Sequence, residues 1–187
     1  MVVAAGVGGC SAAASDEAPR DTAVARVVPP LPPLPPARDT AASIAELTRR
    51  AARIDQDTLT MPARTRPVDL GAGATGTLTA WRLGSEWRRL RLVSEGETFR
   101  NVDTYWRADG ALLGARLESG RPGAKPQTDI VFFRDGAVYY WLAADGRKLN
   151  TDARSTVSEA EMLQRRLADI LDVLADDDAA TRAPPPP

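Results

Sequence analysis

Apolar residues recur along this chain with three successive rhythms. The first runs through Ile44, Leu47, Ala51 and Ile54, in steps of three, four and three. That spacing makes one stripe on a helix, with Asp39 or Thr40 placed to cap it. Pro62 and the Pro67 region end any helical tendency, and Gly71-Ala72-Gly73-Ala74-Thr75-Gly76 reads as a flexible bridge. From Thr77 to Leu149 the period shortens to two, the rhythm of strands. Past Ser158 it lengthens again, with Leu163, Leu167, Ile170, Leu171 and Leu174 on one helical face. Ser158 and Glu161 have the spacing of a capping box at the start of that helix. The pattern predicts an α+β domain: a six-stranded antiparallel β-meander flanked by an N-terminal and a C-terminal α-helix.

Three turns set the expected registers. Gly84-Ser85 suits a type II′ turn and pairs Trp81 with Arg88 and Thr79 with Leu90. Asp109-Gly110 suits a type I′ turn. It sets Trp106, Thr104 and Val102 opposite Leu113, Ala115 and Leu117, and on the other face Asp103 across from Arg116. Asp135-Gly136 pairs Phe133 with Val138 and Val131 with Tyr140, and on the second face Phe132 with Tyr139 and Ile130 with Trp141. Both faces of this last hairpin are apolar, so both need a cover. A central place in the sheet, or a curled sheet with helices on its concave side, would supply one. Asp145-Gly146 adds a final turn.

Composition narrows the chemistry. Among 187 residues there is one cysteine and no histidine. That excludes an intrachain disulfide, a Cys/His zinc site and any triad or dyad built on imidazole. The only lysines are Lys125 and Lys148, so the basic residues are nearly all arginine, which cannot serve as a tuned base. The formal net charge of -1 gives no field drawing the chain to nucleic acid.

The sole cysteine has a distinctive setting. Residues 1–10 read MVVAAGVGGC, a short apolar run passing into small residues and then Cys10. Val7-Gly8-Gly9-Cys10 resembles the lipobox of bacterial lipoproteins. The resemblance implies cleavage before Cys10 and acylation of its thiol, with residues 1–9 as a residual signal peptide. Several acyl chains together make a stable anchor where one alone is marginal. No Lys or Arg precedes the apolar run, and a start further upstream would supply one. Residues 10–38 then read as a lipidated cysteine and a disordered Ala/Pro-rich tether, with its polyproline core at 29–36. Such a segment is extended and semi-rigid. Ser11 after the cysteine implies, within this resemblance, a chain at the outer membrane facing the periplasm. On this reading residues 39–175 form the single folded domain and 176–187 a disordered tail, because Asp176-Asp177-Asp178 opposes the negative end of the helix dipole.

Candidate chemistry is sparse. Glu95 and Glu97 flank Gly96 in a turn, and an Arg116 opposite Asp103 would hold that carboxylate ionised, so no carboxylate pair is set up for hydrolysis. The expectation is a non-catalytic protein with no cofactor and no metal. The candidate binding face comprises Tyr105, Tyr139 and Trp141, an aromatic platform for an apolar or sugar-like ligand, together with Arg82 and Trp87 as a cation–π pair. The competing reading packs the aromatics beneath the two helices, which need an apolar platform of their own. Arg82, Arg89 and Arg91 are expected together on one strand face, solvated or in contact with an acidic glycan or lipid. The aromatic-x-x-Asp-Gly turns at 105–110 and 132–136 resemble the hairpin units of MORN-variant β-meander proteins, a likeness that implies hairpins and no activity. Membrane lipid through Cys10, another envelope protein or an apolar ligand, and no nucleic acid, are the partners expected. Two functions follow: a structural or binding domain of an anchored envelope lipoprotein, or a carrier holding an apolar ligand between a curled sheet and a helix.

Overall fold

A computed structural model describes residues 40–70 and 75–182. The Cys10 lipobox, the proline tether, the bridge at 71–74 and the last residues from 183 lie outside the described residues. The chain is α+β. Helix α1 (Thr40–Asp57) is followed by β1 (Ala63–Asp69), β2 (Thr75–Leu83), β3 (Glu86–Glu95), β4 (Arg100–Ala108), β5 (Ala111–Gly120), β6 (Gln127–Arg134) and β7 (Ala137–Leu142), then by α2 (Arg154–Arg182). The strands form one antiparallel sheet of seven in sequence order.

The sheet has seven strands where six were expected, and the added one is β1. Only Val68 among its inward residues is aliphatic, so its hydrophobic alternation is faint, and Pro67 argues against a strand. An edge position tolerates that proline, because the missing N–H faces no neighbour. β1 is an edge strand, paired to β2 alone.

The three hairpin turns form where expected. Asp109 and Gly110 have φ of 54° and 78°, and Asp135 and Gly136 have 51° and 78°, the paired positive values of a type I′ turn. The strand registers, however, slip by one residue in each hairpin. Two pairs form beyond every turn, and then the returning strand carries an extra residue: Arg88 on β3, Leu113 on β5 and Tyr139 on β7. Trp81 therefore meets Arg89, Thr104 meets Arg116, Asp103 meets Leu117 and Val131 meets Trp141. The expected pairs Trp81–Arg88, Thr79–Leu90, Trp106–Leu113, Thr104–Ala115, Val102–Leu117, Asp103–Arg116, Val131–Tyr140, Phe132–Tyr139 and Ile130–Trp141 are all displaced by these bulges. A bulge adds twist and re-aims side chains while leaving the turn untouched, so turn chemistry alone does not reveal it.

Each sheet face has its own helix. α1 brings Leu47, Ala51 and Ile54 onto Trp106, Leu113 and Phe132. α2 brings Leu167, Ile170 and Leu174 onto Leu78, Leu90, Tyr105 and Ala115, and Ala160 and Leu163 onto Val131, Phe133 and Trp141. Tyr105 and Trp106 are sequence neighbours on one strand, as are Val131 and Phe132, so the helices lie on opposite faces. The double-sided β6–β7 hairpin sits at the sheet edge rather than its centre, and a helix on each side covers it. Gly114 makes room on the α1 side, where a Cβ would stand 2.7 Å from the Phe132 ring and from the Val131 carbonyl.

α2 starts earlier than the Ser158–Glu161 pair suggests. The Val157 amide donates to the Ala153 carbonyl at 3.0 Å, which places the cap at Ala153 and Ser158 inside the helix. The backbone of α2 continues through Asp176-Asp177-Asp178 to Arg182, beyond the expected end near residue 175. Among the described residues no helix is long and apolar enough to cross a membrane.

Candidate functional site

Among the described residues a concavity lies beside α2, toward the ends of β5 and β6. A groove of about 550 Å³ opens there, with Leu117 and Ser119 of β5, Asp129 of β6 and Trp141 of β7 on one side. Glu159, Met162, Leu163 and Arg166 of α2 form the other. The helical residues fall at steps of three, one and three, along the flank of the buried stripe. Their polar tips therefore stand at the rim while Leu163 turns inward.

Two polar anchors define the groove. Asp129 accepts a hydrogen bond from Trp141 Nε1 at 2.9 Å with one oxygen and from the Ala144 amide at 2.8 Å with the other. Both oxygens are engaged, so the carboxylate fixes the indole and the chain after β7. Arg166 donates through Nη1 to Asp103 at 2.7 Å. Asp103 is 8 % exposed, and Arg166 also lines a smaller cavity of about 190 Å³ beside Val68, Leu92 and Ile170. Burial raises the Asp103 carboxyl above the ordinary aspartate value, and the Arg166 charge opposes the rise. The nearby Tyr105 hydroxyl is pushed up by burial first and then by the Asp103 charge, with Arg166 acting in the opposite sense.

This arrangement corrects the expectation for Asp103. Its partner is the helix residue Arg166, because the Leu113 bulge moves Arg116 to the other face. The net direction of its shift is upward, where Arg116 was expected to hold it ionised.

The candidate face also divides. Tyr105 is fully buried beneath α2, and Trp141 is buried on the same side with its edge at the groove. Tyr139 packs with the α1 cluster on the opposite face. Arg82 lies 5.3 Å from the Trp87 ring, the stacking expected, and both belong to the α2 side. The bulge at Arg88 separates Arg82 from Arg89 and Arg91, which stand on the α1 side. Of the expected aromatics, then, Trp141 alone lines the groove.

Glu159, Met162, Arg166 and Asp129 were not singled out from the sequence, though a signal existed for each. Positions 159, 162 and 166 border the apolar stripe begun by Leu163. Asp129 interrupts the inward-facing series of β6 two residues before Val131. Reading either clue requires knowing which strand ends lie beside α2. Compared with protein-family models, curated proteins and solved structures, the chain matches none.

Proposed function

We propose that this chain is a membrane-anchored envelope lipoprotein whose folded domain is a non-catalytic binding module, with the groove beside α2 taking a small apolar or amphipathic ligand. The groove carries this reading. Its volume of about 550 Å³ is that of a small-molecule site, and Leu117, Trp141, Met162 and Leu163 supply apolar walls with a few charged groups at the rim. Met162 is 54 % exposed in spite of its neighbours, an apolar side chain at the mouth with room to move against a ligand. The anchor is supported by Val7-Gly8-Gly9-Cys10 and by the proline-rich tether that follows.

The reading differs from a carrier with an enclosed interior. Phe132 and Trp141 are each about 3 % exposed, one under α1 and one under α2, and so fill the cores beneath the helices. The available space is an open groove at the sheet's end.

Titration with N-phenyl-1-naphthylamine, a dye that brightens in apolar sites, tests the groove. The wild-type chain should enhance its emission, and Ser119→Trp, which places an indole at the rim, should weaken binding about tenfold. Equal affinity in the two proteins, or no enhancement with wild type, would refute the groove as the site. For the anchor, radiolabelled palmitate should enter the chain expressed with its full native leader and be lost in Cys10→Ser. Label retained by that variant would discard the lipobox.

A further inference from the structure

The face under α1 carries a second constellation, unrelated to the groove. α1 covers part of this face only. Beside it a row of side chains crosses five strands in register: Thr65, Thr79, Arg91, Thr104 and Arg116, on β1 to β5 in turn. Adjacent members stand one strand spacing apart, about 4.8 Å. The Thr65 and Thr79 hydroxyls are 3.2 Å apart. Alongside runs a second row, in which Arg89 lies 4.6 Å from the Trp81 ring and Arg116 reaches 6.0 Å from the Trp106 ring.

The charges here do not cancel. Arg89 is paired with Asp55 of α1 at 2.7 Å, and Arg116 with Glu118 at 3.0 Å. Arg91 has no carboxylate partner among the described residues. The three guanidinium groups are close enough to interact: Arg89 is lowered by burial first, and the charges of Arg116 and Arg91 lower it further against the pull of Asp55. Between Arg91 and Arg116, Thr104 is wholly buried and its hydroxyl has no hydrogen-bond partner in the structure. A buried polar group left unpaired is costly, and the uncompensated charge of Arg91 beside it adds repulsion.

We infer that the Arg91–Thr104–Arg116 row is a binding site for a phosphate group. A tetrahedral oxyanion has enough acceptor oxygens to meet two guanidinium forks and a hydroxyl at once, whereas a carboxylate presents only two, both in one plane. The negative charge would relieve the excess at Arg91 and give the Thr104 hydroxyl its missing partner. Arg91 and Arg116 are only partly buried on either side of Thr104, and Trp81 stacks with Arg89 in the row alongside. The same phosphate chemistry could be presented free in solution or as a lipid headgroup.

Two probes on the full chain separate these sources: inorganic phosphate, followed by backbone amide shifts, and phosphatidylcholine vesicles with and without phosphatidate, followed by co-sedimentation. Shifts should centre on Thr79, Arg91, Thr104 and Arg116, or the chain should sediment only with the phosphatidate vesicles. Arg91→Gln should weaken whichever binding is seen about tenfold, with Ser119→Trp on the opposite face unchanged. Thr104→Val gives an independent readout. Removing an unpartnered buried hydroxyl should leave the free protein as stable or more stable, and it should still weaken phosphate binding. No binding to either probe, shifts centred elsewhere, or full affinity in Arg91→Gln would overturn the site.

Discussion

The two faces of the sheet are held to their helices by opposite arrangements of charge. On the α1 side the helix supplies the carboxylate: one oxygen of Asp55 takes the Trp106 indole N–H at 2.8 Å and the Arg89 guanidinium at 2.7 Å. On the α2 side the sheet supplies it, and Asp103 takes Arg166 of the helix. The difference lies in depth. Asp55 sits at the end of α1 with about a third of its side chain exposed, whereas Asp103 lies mid-strand beneath α2. Burial beneath α2 puts on Asp103 a desolvation penalty that moves its titration upward. The same device, one acid bridging helix and sheet, is therefore a partly solvated fastening on one face and a buried, desolvated one on the other.

Matched core truncations test the comparison most severely. Leu47 of α1 and Leu174 of α2 are each 1 % exposed, so Leu47→Ala and Leu174→Ala should each cost about 3 kcal/mol in urea unfolding. A loss confined to one variant would mean that the two helices are not comparable parts of one core. Next comes Asp55→Ala, which strands an indole N–H and a half-buried guanidinium. It should cost about 1–2 kcal/mol, since solvent reaches part of the site.

The Asp103 contact adds a pH dependence of defined sign. Its folded-state value is raised, so below it the folded protein binds more protons than the unfolded chain. Wild type should lose stability relative to Asp103→Asn as pH rises from about 4 through that raised value, then hold a constant difference. Paired urea titrations across this range check it, and a difference that moves the other way would show that Arg166 outweighs burial. The smallest effect is expected at Arg100, whose exposed pairing with Glu95 spans 3.5 Å. Arg100→Ala should change stability by less than about 0.5 kcal/mol.

Much of the fold is legible in the residues, and the reasons are local. α1 and its stripe follow from the spacing of Leu47, Ala51 and Ile54, and the stripe of α2 from Leu163 through Leu174. The I′ turns follow from Asp-Gly pairs, which tolerate two successive positive φ values. β1 is harder to read, because an edge strand with Pro67 has neither strong alternation nor a full ladder to satisfy. The start of α2 is obscured by Ser158 and Glu161, a capping pattern that the helix overrides by beginning at Ala153. Within the groove, Trp141 was legible as an aromatic in need of a setting. Arg166 and Asp129 were not, because their roles depend on which residues face them across the sheet.

The sequence by itself determined the classes of chemistry open to this protein, the two helical stripes and the position of three hairpin turns, at Gly84-Ser85, Asp109-Gly110 and Asp135-Gly136. Those are one-dimensional properties: a missing histidine, a spacing, a dipeptide that accepts a left-handed backbone. Tertiary structure decided the rest through three one-residue bulges. Each shifts the pairing beyond its turn, and because strand side chains alternate, a shift of one exchanges faces. That is why Asp103 meets Arg166 instead of Arg116, why Tyr139 parts from Trp141, and why Arg116 comes to stand beside Thr104. Bulges are settled by how the strands pack against α1 and α2, a balance of side-chain volumes over the whole sheet that no local pattern encodes.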